Sequence, residues 1–358
     1  MGSISNTEKI NIYVPDATGR TLKNDAELFE VFKQSGKEIN LNRFLSMLIL
    51  GYYNSYKQEQ NETLSKIRKV LKNNKVGDNH LREISEDLMN YVILQEIPKR
   101  KGKSPVKLPL KPTTETDQSI TEIISSLGPD DYISQYLCRM LMSYCEKPIY
   151  ERERIIYHYN LHFLEEACRE HSEISFTLPR KPDLIHHVVP YAVVFGNEEM
   201  FNYLLCQEYN AYTEKNEARS YRLCRIQRPS YHYPSAVLDD QIIQYLEKMK
   251  CLGPQYAINE EVETCVKLTS SGQKLFQRIY IGRPIADRIE DKGDETALYY
   301  FYGSLDQLYL YFRRFDAGEA EVLYPITLRS KLKMFHEEAA KLYKDEKDGS
   351  CFPRSVIK

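Results

Sequence analysis

The chain has 358 residues, and its 49 Lys+Arg against 51 Asp+Glu leave a formal net charge of −2. That length holds two or three domains, each with its own core. Eight cysteines without C-x-x-C or paired spacing exclude a disulfide scaffold and fit reduced thiols in a cytosolic protein. No basic-then-apolar leader opens the chain and no apolar run reaches membrane-spanning length, so no membrane partner and a cytoplasmic location are expected.

Near-neutrality hides an asymmetry. Met1 to Pro112 carries 19 Lys+Arg against 13 Asp+Glu, and the remainder carries 30 against 38. A basic front on an acidic back predicts an anionic partner for the front. There, "KINIYVP" alternates, with Ile10, Ile12 and Val14 on one face and Lys9, Asn11 and Tyr13 on the other, until Pro15 stops it. A short helical pattern follows, with Leu28, Val31 and Phe32 on one side and Gly36 closing it. A second helix starts after Asn40, a plausible cap, and buries Leu41, Phe44, Leu45, Leu48, Tyr52 and Tyr56 on one stripe. A lone strand must find a mate, and a second copy of the chain is the economical one.

This first segment, residues 1–58, resembles a ribbon-helix-helix domain. The resemblance implies a homodimer through an intermolecular ribbon. Lys9, Asn11 and Tyr13 would be the face entering duplex DNA, and Asn40, Asn42 and Arg43 would sit at the phosphate end of the second helix. The alternative is an edge strand packed on a helical domain.

Residues 59–149 read as a helical region, with helices near Leu64–Leu71, Leu81–Tyr91 and Asp131–Cys145. It is interrupted by a Pro/Lys linker over 98–112, where "KRKGKSPVKLPLKP" holds six basic residues and no acid. Such a run lies solvated or adds sequence-blind affinity for nucleic acid. A helix over Tyr150–Glu170 precedes four strand-like runs, and Gly196-Asn197 suggests a hairpin turn between the second and third. One run, "ARSYRLCRI", carries arginines on both faces of a strand that otherwise looks buried. From Val262 the pattern is strand, helix, strand, strand, helix, strand and a final helix through Tyr343, a ferredoxin-like α/β sandwich. No internal repeat is visible.

From about Tyr150 onward the chain resembles the WYL family of regulators. "NYLLC" matches the family's Trp-Tyr-Leu strand at Tyr203 and Leu204, with Asn202 in place of the Trp. "RSYRLCRI" matches the arginine-rich strand through Tyr221, Arg222, Leu223, Arg225 and Ile226, and "AEVLYPITLRSKL" resembles the end of the family's C-terminal extension. The resemblance implies an SH3/Sm-like β-barrel over 150–250, an α/β extension over 251–358, and a ligand surface of Tyr203, Ser220, Arg222 and Arg225. Guanidinium forks suit phosphate there; equally, either arginine could anchor the barrel against a buried carboxylate. The fold expected overall is thus α+β and multidomain.

A ribbon-helix-helix module joined to a WYL domain is similar to the WYL accessory proteins of type VI-D CRISPR systems. That resemblance implies a non-catalytic regulator that binds single-stranded RNA and stimulates an RNA-guided CRISPR ribonuclease. The alternative is a DNA-binding repressor that senses a ligand. No cofactor, metal or catalytic residue is expected. Arg152 and His158 match the R-x5-H spacing of HEPN ribonucleases, but Arg180 and His186 match it too. His158 and His162 lie on one polar stripe without a convincing third metal ligand, and His186 and His187 fall on opposite faces of a strand.

Overall fold

The computed structural model describes residues 9–342 apart from 35, 37, 95–104, 129–131, 197, 199, 234–235, 260–261 and 294. Strand β1 (Ile10–Val14) forms as its alternation predicts, with Ile12 and Val14 buried, and Pro15 hands the chain directly to helix α1 (Asp16–Leu28). That helix lies earlier than the sequence suggests, since Val31 and Phe32 fall beyond its end. Helix α2 (Leu41–Asn73) is capped by the Asn40 side chain and buries Phe44, Leu45, Leu48, Tyr52, Tyr53 and Tyr56. The boundary expected at residue 58 therefore falls inside a continuous helix. Helix α3 (Asp78–Leu88) follows.

Residues Val106–Leu110 then form strand β2, antiparallel to β1 with Ile12 opposite Leu108 and Tyr13 opposite Lys107. Two expectations change here. The second half of the 98–112 segment is a strand rather than a linker, while its first half lies largely outside the described residues. The mate of β1 comes from the same chain, so a homodimer is not needed to complete the ribbon. Helix α5 (Ile133–Glu146) packs against β1, helix α4 (Thr114–Ser126) packs on α2 and α5, and one core joins Ile12, Val14, Leu108 and Leu110 to α2 and to Leu137, Leu141 and Tyr144 of α5.

Helices α6 (Ile149–Ile156) and α7 (His158–Glu170) lead into strands β3 (Glu173–Leu178), β4 (Lys181–Phe195), β5 (Asn202–Asn210), β6 (Lys215–Arg222) and β7 (Gln227–Tyr233), then helix α8 (Asp240–Leu252). The strands form one sheet in the order β6-β5-β4-β3-β7. Strands β6 and β7 lie at opposite edges, yet only a 3-10 turn at Leu223–Arg225 and Ile226 join them. A flat five-stranded sheet is about 19 Å across, more than so short a connection spans, so the sheet curls. It does not close: β6 and β7 share no ladder among the described residues. The expected SH3/Sm-like barrel is thus an open, curled sheet, its edge strands β6 and β7 joined by the 3-10 turn and not by a ladder. Between β4 and β5 the connection spans 196–201, longer than a two-residue Gly196-Asn197 turn, and Asn197 lies outside the described residues. Helix α7 packs on one face through Leu164 and Ala167, and α8 on the other through Ile242 and Leu246.

The last unit runs β8 (Glu263–Thr269), α9 (Ser270–Arg278), β9 (Arg288–Asp291), β10 (Thr296–Tyr302), α10 (Leu305–Phe312), β11 (Ala320–Tyr324) and α11 (Ile326–Leu342). Its all-antiparallel order, β11-β8-β10-β9, is that of the split βαβ sandwich expected from Val262 onward. Altogether the architecture is mixed α/β with several sheets. No helix among the described residues is long and apolar enough to cross a membrane.

Candidate nucleic-acid interface

The β1–β2 ribbon has one face in the core and one in solvent. Ile10, Ile12, Val14, Val106, Leu108 and Leu110 point inward. The outer face carries Lys9, Asn11 and Tyr13 from the first strand and Lys107, Pro109 and Lys111 along the second. All three lysines are exposed, Tyr13 is 37% exposed, and no acid stands among the described residues of this row. Lys107 and Lys111 were not singled out from sequence, although the alternation Val106, Leu108, Leu110 against Lys107, Pro109, Lys111 contains the signal.

Asn42 fixes the start of α2 to this ribbon. Its Nδ2 donates to the Lys111 carbonyl at 3.2 Å and its Oδ1 accepts from the Lys111 N–H at 2.7 Å. Asn40 accepts from the Arg43 N–H at 3.1 Å. Both asparagines therefore hold backbone, and Arg43 is the exposed cation of the three. Together they border a cavity of about 400 Å³ that also meets Thr113, His158 and Asn160. Burial pushes the His158 imidazole below its usual pKa, favouring the neutral ring. Arg152 does not line this cavity; it pairs with buried Asp25 at 3.3 Å.

Tyr203, Ser220 and Arg222 lie on neighbouring strands, with Tyr203 opposite Arg222 and Leu205 opposite Ser220 across β5 and β6. The two arginines have internal partners. Arg222 Nη2 donates to the Leu28 carbonyl at 2.9 Å, and its guanidinium lies 3.3 Å from the centre of the Phe201 ring. Its Nε stands 3.7 Å from Glu153, an ion pair rather than a hydrogen bond. Arg225 Nε donates to Glu30 Oε1 at 2.8 Å, which raises the guanidinium pKa. Tyr157 adds a hydroxyl bond to the Phe29 carbonyl at 2.6 Å.

These contacts converge on one place. The end of α1 presents the carbonyls of its last turn, which carry the negative end of the helix dipole and need donors. Arg222, Arg225 and Tyr157 supply a cation to Leu28, a cation to Glu30 and a hydroxyl to Phe29. The arginines of "ARSYRLCRI" separate accordingly: Arg219 and Arg222 lie on opposite faces of β6, the first paired with Glu217 and the second with Leu28 and Glu153, while Arg225 lies beyond the strand in the 3-10 turn. Asn202 is fully buried and donates to Glu153 Oε2 through both its backbone N–H, at 2.6 Å, and its Nδ2, at 2.8 Å. Burial raises the Glu153 pKa, opposed by these bonds and by Arg222.

No protein-family model and no curated protein matches the chain. Among solved structures it is similar to one described as "Crystal structure of a CRISPR Cas-related protein", over 97% of this chain and 96% of that one, with a TM-score of 0.64 and 17% identity. The proteasome accessory factor B/C of Arthrobacter aurescens aligns over 96% of this chain and 51% of its own, at 14% identity, but its TM-score of 0.27 is too low for a structural argument. The chain thus shares its fold, nearly end to end, with a CRISPR Cas-related protein.

Proposed function

We propose that this chain is a non-catalytic, nucleic-acid-binding regulator that accompanies an RNA-guided CRISPR ribonuclease, binds single-stranded RNA and stimulates that enzyme. The observation that carries RNA binding is the acid-free outer face of the ribbon, where Lys9, Lys107 and Lys111 surround Asn11 and Tyr13. Lysines there gain affinity by releasing counterions from phosphate, and a half-exposed tyrosine offers a base a stacking surface. Asn42 places the Arg43 end of α2 beside this row. The CRISPR setting is supported by the shared fold and by the likeness to WYL accessory proteins. In this reading Arg222 and Arg225 brace α1, and the RNA surface moves to the ribbon.

A second reading, binding of duplex DNA, is favoured by one feature: a two-stranded antiparallel ribbon fits a major groove. One experiment separates the two. Lys9→Glu, Lys107→Glu and Lys111→Glu are combined, and binding of single-stranded RNA and of duplex DNA is followed across a salt series. Because all three side chains are exposed, the triple variant folds normally. Its RNA affinity falls by about tenfold or more, and the magnitude of its salt slope falls by about 2, from roughly 0.7 per lost phosphate contact. Unchanged RNA binding removes the ribbon as the site. Tight duplex binding with weak RNA binding in the parent protein favours the second reading.

A further inference from the structure

Three strands of the curled sheet bring Glu173, His187 and His232 to one spot. Glu173 stands on β3, His187 on β4 and His232 on edge strand β7, and their donor atoms all lie within 4.8 Å of one another. His187 Nδ1 is 3.8 Å and His232 Nε2 is 4.0 Å from the same oxygen, Glu173 Oε1, and the two rings meet edge to face with centroids 4.5 Å apart. Strand alternation turns these residues away from the core. His186, one residue before His187, faces inward instead, with Nδ1 2.8 Å from Glu208 and its ring stacked on Phe176.

We propose that Glu173, His187 and His232 form a binding site for a first-row divalent cation of the zinc class. Zinc–nitrogen and zinc–oxygen bonds of about 2.1 Å at tetrahedral angles put neighbouring donors about 3.4 Å apart. The observed separations close to that value by small rotations of the two histidines, both of which are exposed. Two imidazoles and one carboxylate suit zinc, cobalt or nickel, and disfavour magnesium and calcium, which take oxygen donors. Solvent access leaves the remaining coordination position to water.

The strand carrying His232 gives the site a mechanical role. Among the described residues strand β7 pairs only with β3, and its register shifts twice, between Glu173 and Ile174 and between Ser175 and Thr177. Arg228 in the same strand has a positive φ of 52°. An irregular edge strand opens readily. A cation shared by β3, β4 and β7 clips it to two strands at once.

The full-length protein, stripped with chelator and dialysed, is titrated with zinc chloride alone by calorimetry and with cobalt chloride by visible absorption. One ion binds per chain, and cobalt gives d–d bands without a thiolate charge-transfer band, which separates this site from cysteines such as exposed Cys251. His187→Ala combined with His232→Ala weakens zinc binding by more than about 100-fold, beyond the 10–100-fold typical of losing an outer-shell partner. Cys251→Ser leaves it unchanged. Zinc also slows amide exchange in β7 in the parent protein but not in the double variant. No uptake of either metal, or equal uptake by the double variant, overturns the proposal.

Discussion

Arg222→Ala destabilises the protein by about 3–5 kcal/mol, measured as a fall in the denaturation midpoint at neutral pH. The Arg222 side chain is 14% exposed and its partner Glu153 is 0% exposed, so removing the cation strands a carboxylate in the interior. The same change leaves the Leu28 carbonyl at the end of α1 without its donor. Were Arg222 a ligand-binding group on an open surface, its loss would weaken binding and leave stability nearly unchanged. The midpoint therefore separates a brace from a reading head, and a variant within about 0.5 kcal/mol of the parent removes the brace.

The pH dependence of this variant has a definite sign. Burial holds the Glu153 pKa above its ordinary 4.5, so the folded state keeps its proton to higher pH than the unfolded chain does. In the window between the two values stability falls as pH rises. Removing Arg222 takes away an interaction that lowers the folded pKa, which widens the window. The destabilisation by Arg222→Ala accordingly grows as pH rises through this window and is smallest below 4.5, where the carboxyl is protonated in both states. Guanidinium denaturation at neutral and mildly acidic pH checks this.

Some of this architecture was legible in local pattern. The stripe from Phe44 to Tyr56 marked a buried helix face because helical period alone decides it. The order of elements after Val262 gave the antiparallel sandwich, since short connections limit the topologies. Strand β2 escaped because six basic residues and the prolines around it outweighed its alternation, although a strand with an open edge tolerates Pro109. The roles of Arg222 and Arg225 escaped for another reason. Their partners Leu28 and Glu30 lie 194 and 195 residues away, and no local period encodes a helix end waiting for donors. The Glu173, His187 and His232 cluster is hidden likewise, assembled across three strands and a register shift.

Gly51→Ala lowers stability by more than about 2 kcal/mol, although helix propensity alone favours alanine by about 1 kcal/mol. Gly51 lies within α2, where helix α6 crosses it. A Cβ there would stand 1.9 Å from the Ile155 carbonyl oxygen and 2.8 Å from His158 Nδ1. The first neighbour is backbone, which cannot swing aside as a side chain can, so the two helices must separate. That opens the core around Tyr52 and Ile156 and displaces His158 from the wall of the 400 Å³ cavity. Gly303→Ala is the matched control: its Cβ meets nothing within 4 Å, and the stability change stays within about 1 kcal/mol. Chemical denaturation of both variants decides the contest between propensity and close approach. A Gly51→Ala protein as stable as the parent, or more so, shows that α2 and α6 do not meet this closely in solution.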